Sequence, residues 1–256
     1  MGFFEKLENA WNIFTTSLSF IGKDKSLLVV PFIMILSVAG IAAFFFLRVI
    51  LPGTEIPLFL VLFLLVIALQ FWLTFLGAVQ SWMVHEVAQN KDTTFMSGVK
   101  RAFSNLGDIF LFVLVKMLVA AIASKLRKRG GTAGHVAGGF LSTVAGIAGK
   151  LVLPAMIVTE RNFTQSVKQL RDAIPAIPEI ATFEIGLTPL RMLVGVIYTI
   201  FCIAIGLIFG LMTGLILFAL FVALDSTFAI LINQIYYTLL YLTLIEKKKI
   251  HGLNLK

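Results

Sequence analysis

Charge and cysteine are what this sequence has least of. Only 13% of its 256 residues are charged, against about 25% in an ordinary soluble domain. Its one cysteine, Cys202, lies in an apolar run, which excludes an intrachain disulfide, a cysteine-rich metal site and a redox pair. What remains for it is the role of a small packing residue. The three histidines are equally unpromising as ligands. His85 has Glu86 beside it but no second histidine at metal spacing, and His135 and His251 have no acidic neighbours. No Ser/His/Asp ordering, phosphate loop or pair of carboxylates within an apolar run is present. The expectation is therefore no metal, no cofactor and no enzyme.

What the chain has instead is apolar length. Apolar residues make up 59% of it, and the mean hydropathy is +0.99. Runs such as Pro57–Val84 are long enough to be read as membrane spans. The fold class expected is all-α, a polytopic membrane helix bundle of about six transmembrane helices with three amphipathic helices at the interface. The net charge is +8, and the basic residues cluster beside apolar runs. The partners expected are membrane lipids with anionic headgroups, and no nucleic acid.

Taken in order, residues 3–20 read as an amphipathic helix with Phe3, Leu7, Trp11, Phe14 and Leu18 on one face. Lys6, Lys23 and Lys25 are followed by too long an apolar run for a cleavable signal, so the N-terminus is expected to stay. Spans follow at about 26–51 and 57–84, joined by the turn Pro52-Gly53-Thr54-Glu55. His85 to Asn90 reads as polar, with Asp92 or Thr93 as the cap of a second amphipathic helix. A third span at about 108–124 carries Lys116 near its middle and ends at the basic run Lys125–Arg129. A glycine-rich fourth span follows, up to Glu160. The third amphipathic stretch, from Phe163 to Ile174, is broken by Pro175 and Pro178. Fifth and sixth spans are placed at about 190–217 and 226–245, with Asp225 marking the boundary.

The whole is a single integral membrane domain, 1–256, with candidate repeat units 1–84, 92–158 and 160–245. The repeat rests on Phe95-x-x-x-Val99-Lys100 matching Phe163-x-x-x-Val167-Lys168, with Phe3-x-x-x-Leu7 as a weaker third copy that lacks the lysine. With six spans, Lys and Arg gather on the side of both termini, which places those termini in the cytoplasm of a cell-membrane protein. The run Lys125–Arg129 conflicts with this. Either it is tolerated outside, or the short third span and the fourth form a shallow hairpin.

Several segments together resemble a prokaryotic and archaeal family of multi-pass membrane proteins known as a domain of unknown function. They are the N-terminal helix with Trp11, the stretch Asp24-Lys25-Ser26-Leu27-Leu28-Val29-Val30-Pro31, the stretch Leu151 to Glu160, and a last span with Tyr236, Tyr237 and Tyr241. The resemblance implies six spans and carries no activity or site residues.

Two features of the fourth span stand out. Gly130, Gly134, Gly138, Ser142 and Gly146 recur at every fourth position, the small-xxx-small pattern of close helix approach. The ladder is read as packing within the monomer in preference to a homo-oligomer, which stays an alternative. Then comes Lys150, with Pro154 four residues on, a kink that removes the hydrogen bond to the Lys150 carbonyl. A lysine at mid-span costs roughly 2.5–3.5 kcal/mol on insertion scales, so Lys116 and Lys150 are the candidate ligand-binding residues. Two readings stay open. The pair lines a cavity for a lipid phosphate or small anion, or each lysine snorkels separately to headgroups. The function expected is a non-enzymatic multi-pass protein that binds or organises lipid. The alternative is a small transporter or channel with its cavity at Lys116 and Lys150.

Overall fold

The computed structural model describes residues 15–45, 58–129, 131–159, 161–173, 194–244 and 246. Among them there is no strand. Nine α-helices are described: α1 (Thr15–Lys23), α2 (Val29–Phe45), α3 (Leu58–Ala88), α4 (Phe95–Ser104), α5 (Leu106–Arg129), α6 (Gly131–Thr159), α7 (Phe163–Ala173), α8 (Val194–Phe209) and α9 (Leu211–Leu244). A 3-10 turn, Lys25–Leu28, joins α1 to α2.

Among the described residues three helices are long and apolar enough to cross a membrane, over Phe63–Ala88, Leu106–Lys128 and Leu220–Thr243. A fourth candidate is the pair Thr15–Lys23 and Lys25–Ile41, bent by 109°. Shorter apolar segments are Gly149–Thr159 and Val194–Phe209. The expectation of six spans is thus met at three helices.

Several boundaries differ from the sequence reading, each for a local reason. The polar stretch after Val84 continues α3 to Ala88, because His85 and Glu86 find partners on neighbouring turns. His85 Nε2 lies 2.9 Å from Gln89 Nε2, and Glu86 Oε2 accepts from Thr93 Oγ1 and Ser97 Oγ, both at 2.6 Å. The cap of α4 is Thr94, not Asp92 or Thr93. Its side chain accepts from Ser97 N–H. The basic run Lys125–Arg129 extends α5 by another turn. At roughly 1.5 Å per residue the helix then reaches ~36 Å, so shortness no longer argues for a shallow hairpin. The last two helices part at Gly210, whose φ of +100° is a left-handed conformation that glycine adopts without strain. Asp225 lies inside the continuous α9 and marks no boundary. Residues 1–14, Gly130, Glu160, 174–193 and 247–256 lie outside the described set, as do the turn at 52–55 and His251.

The core gathers at one end of the bundle. It takes Leu27 from the 3-10 turn, Val30 and Met34 from the start of α2, Leu76 to Val87 from the end of α3, and Ile109 from the start of α5. Leu151 to Val158 of α6 and Leu231 to Leu242 of α9 complete it. At the other end large apolar side chains face outward, such as Leu64, Leu118 and Leu207. That combination suits a bundle whose far half is surrounded by hydrocarbon.

The short helices α1, α4 and α7 are tied to the core end by polar contacts. Asp24 accepts from Ser26 N–H at 2.8 Å and from Thr93 N–H at 3.2 Å, joining the α1–α2 corner to the entry of α4. Asp108, in the first turn of α5, accepts from Phe163 N–H at 2.9 Å, the first residue of α7. Asn162 and Gln165 cap α7 reciprocally, each side chain accepting from the other's backbone N–H. Arg101 stacks over Trp82 at 4.9 Å and donates to the carbonyl of Ile157 at 2.8 Å, fastening α4 to the last turn of α6. Tyr241 Oη stands 3.2 Å from both Gln169 Oε1 and Glu246 Oε1, closing α9 onto α7.

Candidate functional site

Small residues set the position of α6. A side chain on Gly138 would begin 2.6 Å from the carbonyl oxygen of Ala123, and one on Gly134 would begin 2.6 Å from that of Leu126. Backbone therefore lies on backbone where α6 leaves the turn after α5, as the small-xxx-small spacing requires. The ladder does not continue as one stripe. Gly146 has nothing within 4 Å of its Cβ position, Ser142 is half-buried, and Gly130 lies outside the described residues. Deeper along the pair, Gly149 meets the ring of Phe112 at 3.6 Å. These contacts fix an antiparallel register in which Lys116 stands about five residues, ~7.5 Å, farther from the core end than Lys150. The two lysines therefore do not share one level. Both are exposed along the helices that carry them.

Lys150 is held from a third helix. Its ammonium group donates to Tyr237 Oη at 3.2 Å and lies 4.9 Å from the centre of that ring. Tyr237 is buried, so it is a fixed support. Gly77 of α3 makes the junction close: its Cβ position is 3.3 Å from Leu153 and 3.8 Å from Gln234. Gln234 Nε2 donates to the Gly77 carbonyl at 3.0 Å and to Ser81 Oγ at 2.6 Å. Pro154 lies inside α6, which continues to Thr159. Having no N–H, it leaves the carbonyl of Lys150 without its intrahelical donor. The site thus combines two ammonium groups and a buried phenol, with Pro154 one turn on from Lys150.

No family model matches the chain, and no curated protein or solved structure matches it either. The chemistry has to be read from the side chains. Two cations on neighbouring packed helices suit an anion with several acceptor oxygens, and the apolar flanks of α5 and α6 suit an amphiphile.

Two features of this region leave no trace in the sequence. Tyr237 is one tyrosine of the last span, and nothing in its spacing shows that it faces Lys150. Gln80 is one polar residue within an apolar run. It is fully buried, and neither amide atom has a hydrogen-bond partner among the described residues. Elsewhere, Cys202 is buried in α8, its carbonyl oxygen 2.8 Å from the Cβ position of Gly214. An apolar groove of about 350 Å³ runs beside it, past Gly206 and Phe218. Among the described residues no three His, Cys, Asp or Glu gather as metal ligands would.

Proposed function

We propose that the protein is a non-enzymatic multi-pass membrane protein that binds or organises anionic lipid, with a headgroup phosphate held between Lys116 and Lys150. The observation that carries the reading is the fixing of Lys150 by Tyr237, with Lys116 on the packed neighbour α5. An ammonium group braced by a buried phenol keeps its position without an anion, so a phosphate meets a site already formed. The wider reading has six spans, with α1, α4 and α7 lying at the cytoplasmic headgroup layer. The 109° bend between α1 and the helix after it supports that placement. So does the gathering of all three short helices at the core end.

The repeat belongs to the same proposal, as does membership of the six-span family that the sequence resembles. Ser17, Gly98 and Ser166 are each buried, and each lies three positions after a phenylalanine, Phe14, Phe95 and Phe163, a register that starts the first copy at Phe14 in place of Phe3. Asp24 binding Thr93 N–H and Asp108 binding Phe163 N–H are the same tie made twice, a carboxylate at the foot of one span holding the entry to the next short helix.

The test is lipid co-purification with Lys116 and Lys150 both replaced by leucine. Loss of anionic phospholipid from the purified chain supports the reading, and an unchanged complement sinks it. Movement of a small anion across vesicles that contain the wild-type chain, abolished in the double variant, would instead support the transporter reading, which Pro154 beside Lys150 favours.

A further inference from the structure

Lys100 stands between two exposed apolar side chains on one face of α4. Met96 is 69% exposed and Phe103 is 60% exposed, and their offsets of four and three residues place all three on one strip. The helix cannot roll to hide them. Its opposite face is committed: Ala102 is fully buried, and the Cβ position of Gly98 is already 2.7 Å from the carbonyl oxygen of Val79. The strip continues onto α3. The ring of Phe103 meets Phe75 edge-on at 5.2 Å, and Phe75 stacks with Trp72 at 5.9 Å. Trp72 is itself partly exposed and lies in the Phe63–Ala88 segment long enough to cross a membrane. From Val79, where α4 rests, to Trp72 is ~10 Å along the helix. A cation at the edge of the span thus heads an apolar path running inward.

We propose that this edge is a second lipid site. It holds one anionic phospholipid with its phosphate at Lys100 and its acyl chain along Phe103 and Trp72. The inference rests on the membrane reading above but not on the Lys116–Lys150 pair. What covers the strip follows from continuity, since Trp72 and the exposed Phe110 of α5 belong to helices of spanning length. Charge complementarity selects the headgroup. The corresponding face of α7 lacks the apolar partners: Thr164 stands where α4 has Met96, beside Lys168. The site therefore belongs to α4 and is not shared with α7.

The experiment is native mass spectrometry of the full chain released from nanodiscs with equal parts phosphatidylglycerol and phosphatidylcholine. Replacing Lys100 with Gln and Phe103 with Ser is expected to remove one retained phosphatidylglycerol per chain. The Lys116/Lys150 double leucine variant is expected to keep that lipid. The same phosphatidylglycerol count in the α4 variant and the wild type would overturn the proposal. Should the double change unfold α4, Lys100→Gln alone leaves every apolar contact in place. It is expected to lower the preference for phosphatidylglycerol ~fivefold, as one surface lysine does, and an unchanged preference overturns the site. Displacement of the lipid by millimolar inorganic phosphate would also overturn it, because an anion-only site has no use for Phe103 and Trp72.

Discussion

The ammonium nitrogen of Lys150 donates a hydrogen bond to Tyr237 Oη over 3.2 Å and stands 4.9 Å from the centre of the same ring. One aromatic side chain therefore serves the lysine twice, through its hydroxyl and through its π face. Because Tyr237 is 2% exposed, this partner cannot swing away to follow the lysine.

Replacing Tyr237 with Phe separates the two contributions. The ring and its cation–π contact remain while the acceptor is lost, so unfolding should become easier by about 0.5–1.5 kcal/mol. Tyr237→Ala removes the buried ring as well and should cost about 3–5 kcal/mol. Denaturant titration in lipid or mild detergent reads both. A phenylalanine variant as stable as the wild type would show that the hydroxyl adds nothing to the fold.

The glycine ladder makes a graded prediction. At Gly138 any side chain starts inside contact distance of the Ala123 carbonyl, which is backbone and cannot step aside. Gly138→Val should force α5 and α6 apart and destabilise by about 1–3 kcal/mol. Gly146→Ala meets open space and should be neutral or stabilise by up to about 1 kcal/mol through helix propensity. Thermal melting of the two variants side by side decides it. Equal losses would mean that the ladder packs along its whole length against something else.

That contrast also shows how far the sequence could be read. Apolar length and the 3.6-residue period were enough to find α3, α5, α6 and the short helices α4 and α7, because burial and helix formation there follow from local pattern. The same pattern could not tell Gly138 from Gly146. Both repeat at four residues, and only the crossing with α5 separates them. The break at Gly210 was hidden for a related reason: it is the one apolar-run glycine there with a positive φ, and a φ angle leaves no periodic trace. Lys116 and Lys150 stood out as charges in apolar runs, whereas Tyr237 is an ordinary residue until α9 is laid beside α6.

Asp24 gives a pH dependence. Its partial burial works to raise the carboxyl pKa, but hydrogen bonds from Ser26 and from the N–H of Thr93 outweigh that and hold it below the ordinary aspartate value. A folded-state pKa below the unfolded one means that the stabilisation is fully present above about pH 3.9 and is lost as pH falls through the lower, folded value. Asp24→Asn keeps an acceptor oxygen but loses the charge. It should be less stable than the wild type at neutral pH, and the gap should close as the medium is acidified below pH 4. Melting curves from pH 7 down to 3 measure this. A gap that persists at the acid end would place the loss in packing and not in the charge.

Gln80 is the residue the fold should do better without. Its amide is fully buried and neither its nitrogen nor its oxygen has a partner among the described residues. An amide buried in this way forfeits about 1–3 kcal/mol relative to a paired one. Methionine has a similar length and flexibility and no strong donor to satisfy. Gln80→Met should therefore raise the stability by about 1–2 kcal/mol, most of the penalty being relieved and a little given back in packing. Denaturant titration of the variant against the wild type reads the sign directly. If Gln80→Met instead lowers stability while Leu76→Met, a neighbouring core change of similar size, does not, the amide has a partner. Buried water is then the first candidate, since an interior amide retained at a cost usually holds one.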